Sequence, residues 1–232
     1  MLYRPLRFIA RHVTGFWTAV VAFLGLGLVS GLLLAALFVA VAGAVETGFT
    51  QAVDERVLLW MAARRSPVMD DAMVRLSTLG DSIVLIMLVL VASVFLWIAH
   101  HRWSVGVLLV GVFGGKIVNN LLKLAFARPR PEIVEWLDQV ATKSFPSGHA
   151  MSSMIAYGSV AWVVSRLEPT TAMRRTTWFL AAFIIAGIGI SRTYLGVHYP
   201  SDVIGGFIAG AAWILFVAAV ETAIRLREEM GR

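Results

Sequence analysis

The chain of 232 residues contains no cysteine and few charged residues. The absence of cysteine excludes disulfide bonds and thiolate metal sites, and it leaves the redox compartment undetermined. Only 15% of the residues are charged and 59% are hydrophobic, whereas a soluble domain is about a quarter charged and about half apolar. The scarcity of charge therefore excludes an ordinary soluble domain and predicts an integral membrane protein.

The charge that is present is mostly positive, with a formal net charge of +6. A basic chain can indicate a nucleic-acid partner. Here, however, the basic residues lie in short segments beside apolar runs, where lysine and arginine orient membrane helices. We therefore predict that the positive charge sets the topology in the lipid bilayer, and that nucleic acid is not a partner.

The N-terminus is similar to a signal peptide, because Arg4, Arg7 and Arg11 precede an apolar run. No lysine, arginine, aspartate or glutamate occurs between Arg11 and Glu46. This stretch is far longer than the ~7–15 apolar residues of a signal sequence. It is predicted to be a retained first transmembrane helix.

Crossing the hydrocarbon core takes about 20 apolar residues, with a range of roughly 17–25. The sequence contains six such runs, which predict an all-α polytopic membrane protein with a single domain over residues 1–232. The predicted transmembrane helices are 16–45, 82–99, 103–124, 149–166, 176–191 and 202–222. The fourth and fifth are short and contain polar residues, so we expect neighbouring helices to shield them.

Residues 46–81, between the first two predicted spans, have apolar residues at helical spacing with charged residues set against them. Ser66-Pro67 interrupts the pattern. This pattern predicts two amphipathic helices that lie at the membrane interface. They could form a lid or lipid-entry wall, or a packed cap.

Lysine and arginine in short loops predict the orientation. With six spans, the four basic segments all lie on one side, which would be cytoplasmic; they are the N-terminus, residues 100–102, residues 166–175 and the C-terminal tail. Both termini would then be cytoplasmic in a multi-pass protein of the inner or plasma membrane. The segments 46–81, 125–148 and 192–201 would face the extracytoplasmic side.

Three polar clusters interrupt the apolar sequence: the first cluster (123–131), the second cluster (145–149) and the third cluster (191–202). In the first, each proline of Arg128-Pro129-Arg130-Pro131 biases the preceding arginine toward an extended backbone. This places two guanidinium groups in a defined loop, and guanidinium groups bind phosphate oxygens bidentately. Four polar residues of the third predicted span also share one helix face, at offsets of 0, 3, 4 and 7; they are Lys116, Asn119, Asn120 and Lys123.

Lys123 lies near the outer end of its predicted span, next to the arginines of the first cluster. Lys116 lies two turns deeper, about 10 Å at 1.5 Å per residue. For Lys116 we predict a structural role, hydrogen-bonded within the bundle, rather than direct catalysis.

The second cluster, Pro146-Ser147-Gly148-His149, opens a predicted helix. A helix start offers free N–H groups and a partial positive charge, so it binds anions. Gly148 allows a close approach of the backbone, and Ser147 can cap the helix or donate to a phosphate oxygen. His149 would then stand beside the anion, where an imidazole can protonate a leaving alkoxide.

The third cluster adds Arg192, His198 and Asp202. Pro200 makes a continuous helix from Tyr199 unfavourable. A turn there could still bring the Asp202 carboxylate to the His198 ring. Such a carboxylate orients an imidazole and frees its other nitrogen to attack.

Together the clusters resemble the signature of the type 2 phosphatidic acid phosphatase superfamily, which includes bacterial lipid phosphatases and is related to vanadium haloperoxidases. That signature has three elements: lysine, six residues and Arg-Pro; then Pro-Ser-Gly-His; then Ser-Arg, five residues, His, three residues and Asp. Every signature position is matched here, by Lys123, Arg130-Pro131, Pro146-Ser147-Gly148-His149, Ser191-Arg192, His198 and Asp202.

The resemblance implies a role for each matched residue. His198 would be a nucleophile that forms a phosphohistidine with the help of Asp202, and His149 the acid for the leaving group, which then activates water. The remaining matched residues would hold the phosphoryl oxygens: Lys123, Arg130, Ser147, Gly148 and Arg192. It also implies no metal and no other cofactor.

The predicted function is removal of phosphate from a membrane lipid phosphate or diphosphate. Phosphatidylglycerol phosphate, phosphatidic acid and a polyprenyl diphosphate such as undecaprenyl diphosphate all fit, and the oligomeric state is open. An anion or lipid-phosphate transporter is the alternative, but its site should lie near the midplane between broken helices. Vanadate-dependent oxidation is a third reading, against which the membrane layout argues.

Overall fold

The computed structural model describes residues 25, 27 and 29–230, without the side chains of residues 223 and 225–230. This part of the chain is all-helical, as predicted, and contains no strand. The basic N-terminus lies outside the described residues. So does the part of the predicted span 16–45 that precedes Val29, apart from residues 25 and 27. The helices are α1 (Val29–Glu46), α2 (Gln51–Ala62), α3 (Pro67–Thr78), α4 (Ser82–Ile98), α5 (Arg102–Phe126), α6 (Gly148–Leu167), α7 (Thr171–Tyr194) and α8 (Pro200–Met230).

Four of the described helices are long and apolar enough to cross a membrane: α1, α5, α7 and the Pro200–Thr222 part of α8. A fifth span results if α3 and α4 count together, as a pair bent by 46°. The predicted span over α6 does not meet the same test, because its sequence carries many polar residues. The described residues therefore supply four or five spans, and the predicted count of six is not confirmed.

Helix α6 lies at the centre of the bundle and packs against α4, α5, α7 and α8. Its neighbours bury even polar side chains such as Ser153 and Ser159. This enclosure explains how a polar helix is accommodated among apolar ones. Helix α7 differs, because Phe179 and Phe183 on its outer face remain 69% exposed.

Two glycines of α8 allow its close approach to α6. A Cβ atom at Gly206 would lie 2.7 Å from the carbonyl oxygen of Ser147, and one at Gly210 would lie 2.9 Å from that of Met151. Both distances are shorter than real Cβ contacts, so larger residues would push the helices apart. The close approach brings the start of α6 next to the start of α8.

The three polar clusters meet at one end of the bundle. Helices α5 and α7 end there, and α4, α6 and α8 begin there. Backbone hydrogen bonds join the clusters: the Ser147 N–H donates to the Asp202 carbonyl at 3.0 Å, and the Ser144 N–H donates to the Arg128 carbonyl at 2.9 Å. Residues far apart in the sequence are thereby held in one region.

Helices α2 and α3 occupy the segment for which two helices are predicted, and they pack onto this same end. Arg65, which follows α2, donates to the carbonyl oxygens of Glu135 at 2.8 Å and Tyr194 at 2.9 Å. Helix α3 packs against α7, and the Tyr194 hydroxyl donates to Asp70 at 2.6 Å. These contacts are those of a packed cap over the loops.

Candidate active site

A polar cavity of about 140 Å³ lies where the clusters meet. It is bordered by α4, α5, α6, the loop before α6 and the end of α7. Its lining consists of Gly80, Ser82, Lys116, Asn119, Asn120, Lys123, Arg130, Val140, Thr142, Gly148, His149, Ser152, Arg192 and His198. Six of the eight predicted site residues are in this lining; Ser147 and Asp202 are the exceptions.

His198 is nearly fully buried, with 2% of its surface exposed. Its Nδ1 atom lies 3.5 Å from an Asp202 carboxylate oxygen and 3.5 Å from the Ser144 hydroxyl. Its Nε2 atom lies 3.2 Å from the Arg130 guanidinium. Because arginine can only donate, this network favours the tautomer with a proton on Nδ1 and a lone pair on Nε2.

Burial is the main cause that lowers the pKa of His198 to about 3. Asp202 acts in the opposite direction, and the nearby guanidinium groups of Arg130 and Arg192 lower the pKa further. The imidazole is therefore neutral over the physiological pH range, which is the form in which its nitrogen can act as a nucleophile.

Asp202 is fully buried and holds several partners at once. It accepts hydrogen bonds from the Ser144 hydroxyl at 2.5 Å and from the Tyr199 N–H at 2.9 Å. The Arg128 guanidinium donates to it at 2.6 Å. A carboxylate held this firmly defines the position of the adjacent His198 ring.

The two arginines of the first cluster have different environments, although the sequence pattern treats them alike. Arg128 is buried and bridges Asp202 to Asp54 of α2, at 2.6 and 3.0 Å. The Asp54 carboxylate also accepts from the Ser201 hydroxyl and N–H at 2.5 and 3.0 Å. Only Arg130 lines the cavity, so Arg128 and Asp54 form a support behind it.

Arg130 is held by backbone carbonyl oxygens. Its guanidinium donates to the carbonyls of Thr142 at 2.7 Å and Val197 at 2.5 Å. Burial is the main cause that lowers the pKa of Arg130 to about 10, and Arg192 adds to it. Arg130 thus keeps its charge at neutral pH. The ammonium of Lys123 is likewise anchored on a carbonyl, that of Lys143.

Arg192 is buried at the end of α7. One of its guanidinium nitrogens donates to the Ser77 hydroxyl and to the Asp138 carboxylate, both at 2.6 Å. Its Nε and Nη2 atoms are buried and have no hydrogen-bond partner within the described residues. Buried donors are rarely left unpaired, so Arg192 has two guanidinium nitrogens suited to donate to a ligand oxygen.

The start of α6 has the expected geometry. Ser147 is the N-cap, and its hydroxyl accepts from the Ala150 N–H at 3.5 Å. It is fully buried and caps the helix rather than lining the cavity. Gly148 lines the cavity, and a Cβ atom there would lie 3.3 Å from the Asn119 side chain. The free N–H groups at this helix start suit an anion.

His149 has a partner that the sequence pattern does not reveal. Its Nε2 atom lies 2.8 Å from a carboxylate oxygen of Asp81, the N-cap residue of α4. The preceding Gly80 has no side chain, and a Cβ atom there would lie 2.9 Å from the His149 ring. The signal available in the sequence was an Asp directly before an apolar span, but such residues are common helix caps.

The chemistry of this site is that of anion binding beside two imidazoles. Four cationic side chains and one helix start face a cavity that also contains the His149 ring and the lone pair of His198. Within the residues that the structure describes, no group of three His, Cys, Asp or Glu side chains could hold a metal ion. The arrangement can bind a phosphate, attack it and protonate a leaving group.

Comparison with known proteins identifies the family. A model of the PAP2 superfamily matches residues 104–225. The chain is 30% identical over 190 residues to phosphatidylglycerophosphatase B of Bacillus subtilis, covering 81% of this chain and 93% of that protein. It is also 32% identical over 108 residues to the undecaprenyl-diphosphatase BcrC of Bacillus subtilis, covering 44% of this chain and 51% of that protein.

Solved structures show the same likeness. The crystal structure of a transmembrane PAP2-type phosphatidylglycerolphosphate phosphatase from Bacillus subtilis superimposes with a TM-score of 0.79 and 28% identity, over 84% of this chain and 97% of that one. The crystal structure of Aquifex aeolicus LpxE superimposes with a TM-score of 0.55 and 27% identity, over 70% of this chain and 93% of that one. The chain therefore belongs to the PAP2 superfamily of membrane lipid phosphatases and is a phosphoric monoester hydrolase.

Proposed function

We propose that the protein hydrolyses the terminal phosphate of a membrane lipid phosphate or diphosphate, through a phosphohistidine on His198 and without a metal. The observation that carries this proposal is the cavity itself. Four cations, two histidines and the start of α6 face one space of about 140 Å³. Phosphoryl transfer requires mainly positioning and charge neutralisation, and this set supplies both.

The phosphoryl oxygens would be held by Lys123, Arg130 and Arg192. The two unpartnered guanidinium nitrogens of Arg192 are available to donate to them. The N–H groups at the start of α6, beside Gly148, add further donors. Ser147 contributes through this helix start, because its hydroxyl caps the helix.

His198 attacks first. As its Nε2 atom forms a bond to phosphorus, the bond between phosphorus and the leaving oxygen breaks. His149 donates a proton to that oxygen from Nδ1, since its Nε2 atom is paired with Asp81. The Nδ1 proton of His198 stays near Asp202, which stabilises the positive charge that develops on the ring.

Water completes the reaction. His149, now neutral, accepts a proton from a water molecule whose oxygen attacks phosphorus. The bond between phosphorus and Nε2 breaks, which releases inorganic phosphate and restores neutral His198. The Arg130 guanidinium lies 3.2 Å from Nε2 of His198. It must therefore turn from Nε2 to the phosphate before the first step.

Asp81 would act as a positioning residue. Its carboxylate orients the His149 ring, so that Nδ1 is the nitrogen left for the substrate. It also favours the protonated imidazole that the first step needs.

We further propose six transmembrane helices in an inner or plasma membrane, with both termini cytoplasmic and the site at the outer face. The positive-inside distribution of lysine and arginine supports this orientation. The sixth span would be α6, whose polar side chains are enclosed by its neighbours. The site lies at one end of the bundle, as an enzyme acting on lipid headgroups requires, and not at the midplane expected of a transporter.

The experiment is phosphate release from phosphatidylglycerol phosphate, phosphatidic acid and undecaprenyl diphosphate by purified protein in detergent micelles. With ³²P-labelled substrate, trapping of an acid-labile phosphoprotein during phosphate release would identify the intermediate. His198→Ala is expected to lose both, by at least about 10³-fold for release, since it removes the nucleophile. The matched control is His101→Ala, an exposed histidine in the turn between α4 and α5, which should retain full activity.

Full phosphate release by His198→Ala would end the nucleophile assignment. Release without any trapped phosphoprotein in the wild type, at several quench times, would indicate direct attack by water. Activity that disappears on treatment with a metal chelator and returns with added metal would contradict the metal-free mechanism.

A further inference from the structure

The cavity extends beyond His149 to polar residues that the proposed mechanism does not use. Ser82 at the start of α4 and Lys116 and Asn120 of α5 line this extension. Lys116 lies in the middle of an apolar helix, where a charged side chain is costly and usually has a functional partner.

Helix α5 carries both lysines of the cavity on one face. It is continuous over Arg102–Phe126, so Lys116 lies about 10 Å from Lys123 along the helix axis. Lys123 is buried, at 7% exposed, whereas Lys116 and Asn120 are exposed. The cavity is therefore enclosed around Lys123 and open to the outside of the helix bundle at Lys116.

Lys116 has only a neutral partner among the described residues. Its ammonium donates to the Ser82 hydroxyl at 3.2 Å. The carboxylate next to Ser82 in the sequence, that of Asp81, is paired with His149. A hydroxyl does not neutralise an ammonium, so this site retains a full positive charge for an anion.

The direction from Lys123 to Lys116 matches that of a bound lipid. In the proposed function the scissile phosphate is held by Lys123, Arg130 and Arg192, and the lipid tail extends into the bilayer. Any group between the scissile phosphate and the tail would lie deeper along α5. Lys116 is the cation at that depth.

We propose that Lys116, with Asn120, binds a second phosphate group of the substrate, located between the scissile phosphate and the tail. This inference rests on the proposed function. It selects lipids with two phosphates in series, joined directly as in a polyprenyl diphosphate or through a glycerol as in phosphatidylglycerol phosphate. Phosphatidic acid, which has a single phosphate, would leave this subsite unfilled.

Binding tests this without requiring turnover. The affinities of undecaprenyl diphosphate, phosphatidylglycerol phosphate and phosphatidic acid are measured on full-length His198→Ala protein in micelles, with and without Lys116→Met. We expect the Kd of the two-phosphate lipids to rise by about 10- to 100-fold, the effect of losing one hydrogen bond to a charged group. The Kd of phosphatidic acid should change by less than about threefold.

Two controls separate a phosphate subsite from other effects. Lys143→Met removes an exposed lysine from the same end of the bundle, and it should not change the preference for two phosphates. Ser82→Ala removes the hydrogen bond between α4 and α5 but keeps the charge of Lys116. It should change the preference for two phosphates by less than about threefold. Lys116→Arg should keep the preference and Lys116→Gln should lose it, which gives the same decision if Lys116→Met does not yield monodisperse protein.

Each outcome decides the proposal. The proposal is overturned if Lys116→Met weakens the affinity for all three lipids equally or does not weaken it at all. It is also overturned if the Ser82→Ala protein behaves like Lys116→Met. A loss confined to undecaprenyl diphosphate or to phosphatidylglycerol phosphate supports it and identifies the spacing of the two phosphates. If protein with intact His198 releases no phosphate from any lipid while this selectivity holds, the proposed function fails and the second anion subsite stands.

Discussion

His149 of α6 and Asp81 of α4 form a hydrogen-bonded pair, with Nε2 and the carboxylate oxygen 2.8 Å apart. The two residues are 68 positions apart in the sequence. The pair leaves one nitrogen of His149 for a substrate. It also links the proposed acid to the bend between α3 and α4.

Asp81→Asn is expected to lower kcat by about tenfold or more, but by less than the 10²–10⁴-fold that the general acid itself contributes. The amide keeps the shape of the side chain but no longer stabilises the imidazolium form of His149. A smaller fraction of His149 is then protonated at each pH, so the alkaline limb of the pH–rate profile should move to lower pH. Steady-state phosphate release from pH 5 to 9 measures both effects.

Asp71→Asn is the matched control for Asp81→Asn. Asp71 is an exposed carboxylate of α3 that pairs with Arg75, so its loss should leave kcat and the pH profile unchanged. A reduced kcat for Asp81→Asn with an unmoved pH profile would show that Asp81 acts only on folding or packing.

The burial that lowers the pKa of His198 to about 3 predicts a loss of stability in acid. An unfolded chain binds a proton on this histidine below about pH 6.5, whereas the folded protein does not until about pH 3. The free energy of unfolding should therefore fall with decreasing pH in that window, by up to about 1.4 kcal/mol per pH unit. Unfolding in mixed micelles between pH 4.5 and 7.5 measures the slope.

His198→Asn removes the titrating group and should make this slope shallower by about one proton. His101→Asn, at the exposed turn on the other end of α4 and α5, should keep the wild-type slope. Identical slopes for the His198→Asn protein and the wild type would contradict a neutral buried His198.

Arg128 connects Asp54 and Asp202 in the support behind the site, so Arg128→Gln leaves two buried carboxylates without their cation. Removal of one partner from a buried ion pair costs about 3–5 kcal/mol, and we expect a loss of this size in the free energy of unfolding. Adding Asp54→Asn to Arg128→Gln should restore part of the loss, because one of the stranded charges is gone.

Arg64→Gln is the control for this pair of variants. Arg64 is exposed, and its side chain contacts the carbonyl and the ring of Trp60, so its loss should cost less than about 1 kcal/mol. If the double variant is no more stable than Arg128→Gln alone, the coupling between Asp54 and Arg128 is not the source of the stability.

The residues proposed to bind phosphate were predictable because the chemistry restricts their types. Cations, a helix start and a histidine pair are what an anion site needs, and six of the eight predicted residues line one cavity. Their convergence at one end was also predictable, because successive spans run in opposite directions and the polar clusters alternate with them.

The supporting pairs were not predictable from the pattern. Arg128 and Arg130 are two positions apart and chemically identical, yet one joins Asp54 and Asp202 while the other faces the cavity. Likewise, the sequence around Asp81 indicates only an ordinary helix cap. The contact with His149 arises from the packing of α6 against α4. Such pairings depend on side-chain distances across the bundle, which local sequence does not specify.

For Lys116 as well, the sequence predicted one property and the packing of the helices decided another. Its helical spacing places it on the face of Lys123, and the sequence predicts a hydrogen bond within the bundle, which the Ser82 contact confirms. Its exposure at the open end of the cavity is a property of how α4 packs on α5. That exposure is what makes it available to a substrate.

The sequence by itself indicated that this chain lies in a membrane, because its apolar content and sparse charge exclude an ordinary soluble domain. It also predicted the set of groups that we propose cleave a phosphate. Only the tertiary structure decided which of those groups contact each other. A hydrogen bond requires two atoms within about 3 Å, and that distance is set by the packing of helices such as α6 on α8 rather than by spacing along the chain.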